Sequence, residues 1–230
     1  QRQMCIRDRV ISVKRGKDFG LNLDGITKIL DDKTKMIFIA SPNNPTGNIV
    51  EKDELIYLLK QNIIVVVDET YFEFCGQSYM NLIDDFENLI IIRSFSKWAG
   101  LAGLRLGYAI TNTEIIKRII QIKQPYNINS AAEFVAIEAI KNKEKLYEKV
   151  KIIMEQKDLI YSFLKKKNGI TVYKSNANFV LCDLGKLNAN EIFDGLASKG
   201  IFVRKFSNQF IDNSLSCLLY TSPSPRDLRL

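Results

Sequence analysis

The sequence predicts an α/β fold, a mainly parallel sheet covered by helices, followed by a smaller α+β unit. Three observations carry that prediction. Ile63–Val67 is five β-branched residues in a row, a pattern that suits a parallel strand buried on both faces. Between residues 35 and 140, strand-like and helix-like stretches alternate with short connections, the signature of βα units. After about residue 143 the pattern changes to one long helix, then short local strands around another helix.

Each element has its own reason. Val10–Val13 reads as a short strand. Leu23–Leu30 is amphipathic and begins near Asn22 or Asp24, either of which caps a helix well. Lys35–Ala40 is β-rich and runs into the turn-dense loop SPNNPTGN, residues 41–48. Glu51–Gln61 is helical. Ile63–Val67 stops at Asp68. Leu89–Arg93 and Arg105–Thr111 are further strands, Thr113–Lys123 a helix, and Asn127–Ile140 a helix from an Asn or Ser cap. Lys143–Lys167 carries Leu146, Val150, Ile153, Ile160 and Phe163/Leu164 at helical spacing. Strand-like stretches at 170–175 and 177–184, a helix over Asn188–Ser198 and a strand over Ile201–Arg204 complete the second unit.

Bulk properties exclude several classes of function. Of the 230 residues, 46% are hydrophobic and 26% charged, the balance of a soluble globular protein. The apolar runs fall short of the ~20 residues of a membrane span, and no signal peptide is visible. Histidine is absent, which removes histidine triads, histidine bases and histidine metal sites together. The four cysteines lack paired spacing, so no metal site is expected and a reducing compartment, the cytoplasm, is.

The two ends, QRQMCIRDR and CLLYTSPSPRDLRL, follow no periodic pattern and resemble translated sequencing-adapter read-through. Residues 1–9 and about 217–230 are therefore expected to lie outside the fold. That leaves a partial large domain over 10–142 and a partial small domain over 143–216. Five arginines and two aspartates leave with the ends, taking the net charge from +7 to +4. With lysines spread over helices, this mild excess does not predict nucleic-acid binding.

In parallel sheets, functional groups collect at the carboxyl ends of strands. The loops after three predicted strands carry Asn44, Asp68 and Lys97. Lys97 is a lone lysine delivered by a buried strand into a Ser/Gly loop, where it needs a partner; it reads as the anchor of an aldehyde cofactor. Asp68 needs a cation at the sheet edge, and a protonated pyridine nitrogen supplies one. Tyr71 follows three residues on. Arg105 and the hydroxyls of Ser94 and Ser96 suit a phosphate, with arginine offering a planar donor fork. Singly, each residue also reads plainly: a solvated turn aspartate, a half-buried core tyrosine, a turn asparagine, a surface lysine, a structural arginine. Gly100, Gly103 and Gly107 lie between two strands rather than at a strand-to-helix turn, so they do not make a dinucleotide loop.

Together the motifs SPNNPTG, DETY and SFSK with an arginine eight residues on resemble the fold-type I aminotransferases that use pyridoxal phosphate. RSFSKWAGLAGLRLGY, VVVDETYFEF and QPYNINSAAEF are most similar to the histidinol-phosphate aminotransferase family, and the resemblance runs from about residue 10 to 216. It implies pyridoxal 5'-phosphate bound covalently by Lys97, which also moves the proton in catalysis. It implies Asp68 on the pyridine nitrogen, Tyr71 and Asn44 on the phenolic oxygen, and Ser94, Ser96 and Arg105 on the cofactor phosphate. Arg204 matches a position that contacts the substrate phosphate. The implied reaction passes an amino group between glutamate/2-oxoglutarate and histidinol phosphate/imidazole-acetol phosphate, in histidine biosynthesis, within a cytoplasmic homodimer. The second substrate arginine of that family has no counterpart here, where the chain reads SLS. The family's N-terminal arm, its phosphate-binding helix terminus, ring-stacking aromatic and tyrosine shared between subunits have none either. Threonine-phosphate decarboxylase or aromatic aminotransferase chemistry, and a non-catalytic binding module on the same fold, remain alternatives.

Overall fold

The fold was analysed in a computed structural model, which describes residues 9–16, 18–206, 211 and 213–218. Its first sheet is built from β1 (Met36–Ala40), β2 (Ile64–Asp68), β3 (Leu89–Ser94) and β4 (Gly107–Thr111), in that spatial order. β1, β2 and β3 are parallel, and β4 runs antiparallel to β3. The first helix, α1 (Leu23–Ile29), is capped by Asn22, whose side chain accepts from the Gly25 amide. α2 (Lys52–Leu59) begins with a reciprocal pair, Glu51 and Glu54, each accepting from the other's backbone amide.

The β-branched runs do what their composition demands. Leu55, Leu58 and Leu59 of α2 pack with Ile39, Val65, Val67, Leu89 and Ile91 into one buried cluster. Burying side chains of this size contributes roughly 1.5–3 kcal/mol each. This packing fixes β2 and β3 as the central strands, and their carboxyl ends as the edge where loops emerge.

α3 (Phe72–Cys75) follows β2 directly, and α4 (Thr113–Ile122), α5 (Ser130–Lys141) and α6 (Lys143–Leu164) follow β4. A second sheet has the order β5 (Thr171–Val172), β6 (Phe179–Asp183), β8 (Ser214–Leu218), β7 (Arg204–Phe206), all antiparallel. α7 (Ala189–Ala197) precedes β7, and Asn188 caps it. A second buried cluster joins the two sheets. It contains Tyr71, Phe74, Phe95 and Trp98 from the first unit, Val150 and Ile153 of α6, Phe179 of β6 and Ala177 just before it.

Several expectations need correction. Val10–Val13 forms no strand. Beyond it, Arg15 donates to the Ala40 carbonyl at 3.2 Å and the Phe19 carbonyl at 3.0 Å, so side-chain bonds rather than a ladder tie this stretch down. Arg105 is not in a strand: it ends a short 3-10 turn, Ala102–Leu104, with φ +55°, and β4 begins two residues later. Arg204 opens β7 rather than closing a strand. The strand β8 continues through Cys217 and Leu218, past the expected boundary at 216. Cys217 pairs with Val180 and Leu218 with Phe179, because β6 offers a ladder edge that reaches that far. The remaining residues of the two expected tails, apart from Arg9, lie outside the described residues.

Large apolar side chains stand in solvent on the helices after β4, in the turn between α4 and α5, and on edge strand β1. Tyr126 is 97% exposed, Ile122 83%, Phe38 71% and Phe134 68%. Apolar surface of that kind drives association. The 230-residue chain alone is therefore expected to self-associate, eluting from size exclusion well ahead of a 26.3 kDa monomer. A sharp monomer peak across micromolar concentrations would contradict this.

Candidate active site

The register of the first sheet places Ala40, Asp68 and Ile92 level with one another. Two backbone bonds stitch these ends together: the Ser41 amide donates to the Asp68 carbonyl at 3.0 Å, and the Glu69 amide to the Ile92 carbonyl at 2.8 Å. The loops carrying Asn44, Tyr71 and Lys97 thus start from one edge.

The first loop is rigid. Ser41 is fully buried, and its hydroxyl accepts from the Val50 amide at 3.0 Å. The Gly47 amide donates to the Asn43 carbonyl at 2.6 Å, and the Asn43 amide to the Asn48 carbonyl at 2.9 Å. From this loop Asn44 reaches across 27 residues of sequence, its Nδ2 donating to the Tyr71 hydroxyl at 2.8 Å. Tyr71 is a buried residue, with the Phe179 ring edge-on at 5.2 Å. The half-buried Asp68 carboxylate is oriented by the Thr70 amide, which donates to Oδ1 at 2.9 Å.

The Lys97 ammonium lies 5.9 Å from the centre of the Tyr71 ring. Burial lowers its pKa, and the charge of Arg105 lowers it further. Both favour the neutral amine, the form that attacks a carbonyl. Ser94, the last residue of β3, donates through Oγ to Ser96 Oγ at 2.8 Å, and the Ser96 amide donates back to Ser94 Oγ at 3.0 Å. Two hydroxyls therefore sit side by side before Lys97. The Arg105 guanidinium donates to the Ala102 carbonyl at 3.1 Å.

The structure thus brings Asn44, Tyr71 and Lys97 into one cluster, with Asp68 at the level strand ends and Arg105 close enough for its charge to act on the lysine. Arg204 stands apart, exposed on edge strand β7 with its guanidinium over the Phe206 ring at 4.9 Å.

Directly behind this edge lies a polar network that sequence reasoning did not find. Glu69 is fully buried and pairs with Arg93 at 2.8 Å. It also accepts from the Tyr79 amide at 2.8 Å and the Ser78 hydroxyl at 2.9 Å. Arg93 donates to Ser78 Oγ at 2.6 Å and stacks over the Phe72 ring at 3.7 Å. The available signal was the pair of charges itself: an acid and an arginine at the ends of two neighbouring apolar runs demand each other.

Glu73, one turn further along α3, is also buried, and its Oε2 has no hydrogen-bond partner among the described residues. Burial pushes its carboxyl up to about 7, with Arg93 opposing and Glu69 reinforcing the shift. The folded state therefore holds a proton that the unfolded state releases from its ordinary pKa of 4.5 upward. That contribution to stability is complete below the unfolded pKa and is lost as pH rises towards 7, by about 3 kcal/mol in all. Urea unfolding between pH 4.5 and 7.5 is expected to show the decline, and Glu73→Gln to flatten it. An equal slope in the variant would refute the assignment.

The sequence matches the family described as Aminotransferase class I and II over residues 4–215. The chain belongs to that family, and its fold is that of the fold-type I enzymes. Among curated relatives, histidinol-phosphate aminotransferase of Caldanaerobacter subterraneus is 42% identical over 200 residues, 86% of this chain and 56% of that protein. The same-named protein of Dehalococcoides mccartyi is 39% identical over 221 residues, 96% of this chain and 61% of that protein. The crystal structure of histidinol-phosphate aminotransferase from Clostridium acetobutylicum superimposes with a TM-score of 0.79 at 28% identity, covering 92% of this chain and 66% of that one. The chain thus spans about three-fifths of the length of these curated relatives.

Proposed function

We propose that the whole protein containing this chain is a pyridoxal-phosphate-dependent aminotransferase acting on histidinol phosphate, with glutamate/2-oxoglutarate as the second amino donor and acceptor pair. The observation that carries the cofactor is the cluster itself: a lysine pushed towards its neutral form beside the Asn44–Tyr71 pair, at the level carboxyl ends of three parallel strands. The substrate rests on the likeness to the curated relatives.

The residues fit the cofactor group by group. The Lys97 amine holds it covalently. The Asp68 carboxylate would keep a proton on the ring nitrogen. Asn44 Nδ2 donates to the Tyr71 oxygen, which would leave the phenol's own proton to be donated to the cofactor's phenolic oxygen. Ser94, Ser96 and Arg105 supply hydroxyl and guanidinium donors for its phosphate. When bound, pyridoxal phosphate supplies an electron sink for negative charge on the substrate's α-carbon. The Lys97 amine would also serve as the base and acid for the substrate's α-proton, the role its lowered pKa suits. Arg204 is assigned to the substrate phosphate. Because it stands on the second sheet, the domain division at 142/143 then separates a cofactor-binding unit from a substrate-closing one. A cytoplasmic homodimer suits this reading, and the free thiols of Cys75, Cys182 and Cys217 suit a reducing compartment.

The test is a direct assay of the whole protein. Amino transfer from histidinol phosphate to 2-oxoglutarate is expected at far higher kcat/KM than from phenylalanine, without carbon dioxide release from threonine phosphate. Preference for phenylalanine, or decarboxylation, would reassign the enzyme within its family.

A further inference from the structure

We infer that the segment Ser175–Phe179, in the second sheet's unit, is the device that sets the Asn44–Tyr71 pair, with Asn176 and Phe179 as positioning residues. The inference rests on the functional reading above, since that pair matters through the cofactor's phenolic oxygen.

The segment holds both ends of one hydrogen bond. At one end, the Gly47 carbonyl accepts from the Asn176 amide at 2.8 Å and from Asn176 Nδ2 at 3.1 Å. Gly47 closes the tight loop that carries Asn44. The approach leaves no room for a side chain. Gly47 has φ +73°, and a Cβ there would overlap the Ser175 side chain and stand 2.7 Å from its Cα. At the other end, Phe179 is buried edge-on against the Tyr71 ring. Only two residues, Ala177 and Asn178, thus separate the groups that fix the amide donor and the phenol.

The segment is itself anchored. Lys157 of α6 is buried, and its ammonium donates to the Ser175 carbonyl at 2.8 Å while pairing with Asp158 at 2.9 Å. The Ser175 hydroxyl accepts from the Ala177 amide at 3.2 Å. Burying that ammonium is offset by both partners, the Asp158 carboxylate and the Ser175 carbonyl, so the carbonyl is held by a charged donor. The path from α6 through residues 175–179 to Asn44 and Tyr71 is continuous, and it ties the second sheet to the electronic tuning of the cofactor.

Donors to the phenolic oxygen stabilise its anion and so lower the pH at which the bound cofactor's visible band titrates. In the whole protein loaded with pyridoxal phosphate, Asn176→Ala and Phe179→Leu are expected to raise that midpoint by about half a unit or more. The same changes in a Tyr71→Phe background are expected to add little, because the pair they position is already broken. Thermal unfolding of each variant is measured alongside. A raised midpoint with non-additivity supports the inference, whatever the melting temperature does. An unmoved midpoint in both variants, or full additivity with Tyr71→Phe, overturns it and makes the segment merely structural. Wild-type protein that develops no visible cofactor band overturns the functional reading, and this inference with it.

Discussion

Replacing Lys97 with alanine in the whole protein is expected to abolish the cofactor's visible band and to lower amino transfer by several orders of magnitude. The proposed function gives this residue two roles, the covalent hold on the cofactor and the base that takes the α-proton, and both would disappear together. Positioned acid–base groups contribute about 10²–10⁴-fold by themselves, so the combined loss is larger than that from any neighbouring residue. Tyr71→Phe and Asn44→Ala should be milder, since they tune the cofactor without carrying the proton. The fold should survive Lys97→Ala, because the side chain is only half-buried and leaves the packing of Phe95 and Trp98 untouched. Retained activity in a well-folded Lys97→Ala protein would remove the lysine from the mechanism.

The largest stability effect is expected at the buried ion pair. Glu69→Ala leaves the Arg93 guanidinium charged, largely buried, and short of its carboxylate. Removing one partner of such a pair costs about 3–5 kcal/mol. It also strands the Tyr79 amide and the Ser78 hydroxyl, which donate to the same carboxylate. The damage should reach the active site, since Glu69 adjoins Asp68 and Arg93 adjoins Ser94. Replacing both partners with apolar residues of similar volume should cost much less than either single change. Urea unfolding of the whole protein measures all three. A single Glu69→Ala cost below about 1 kcal/mol, typical of exposed pairs, would refute this account of the network.

Much of this architecture was legible in the sequence, for identifiable reasons. A run such as Ile63–Val67 has one comfortable environment, so β2 and its parallel neighbours could be placed from composition. Asn44, Asp68 and Lys97 follow such runs, and the level register turned three separate loops into one edge. Strand direction was less accessible. Nothing in GYAIT says that it runs antiparallel to β3; the short turn at 102–104, with Arg105 in a left-handed conformation, decides that. Tertiary partners were invisible where they are far apart in sequence. Gly47 and Asn176 are 129 residues apart, and only the folded chain shows why that glycine cannot carry a Cβ. β8 went unread because a periodicity argument needs more residues than the five that pair there.

The central claim is that this sheet edge holds pyridoxal phosphate through Lys97. Borohydride reduction of the loaded whole protein, followed by peptide mapping, tests it most directly, because reduction fixes the cofactor to whichever amine holds it. The expected result is a single stoichiometric pyridoxyl adduct on the peptide containing Lys97, blocked by prior reaction of the protein with its amino substrate. An adduct spread over surface lysines, or fixed at a different single lysine, would contradict the account.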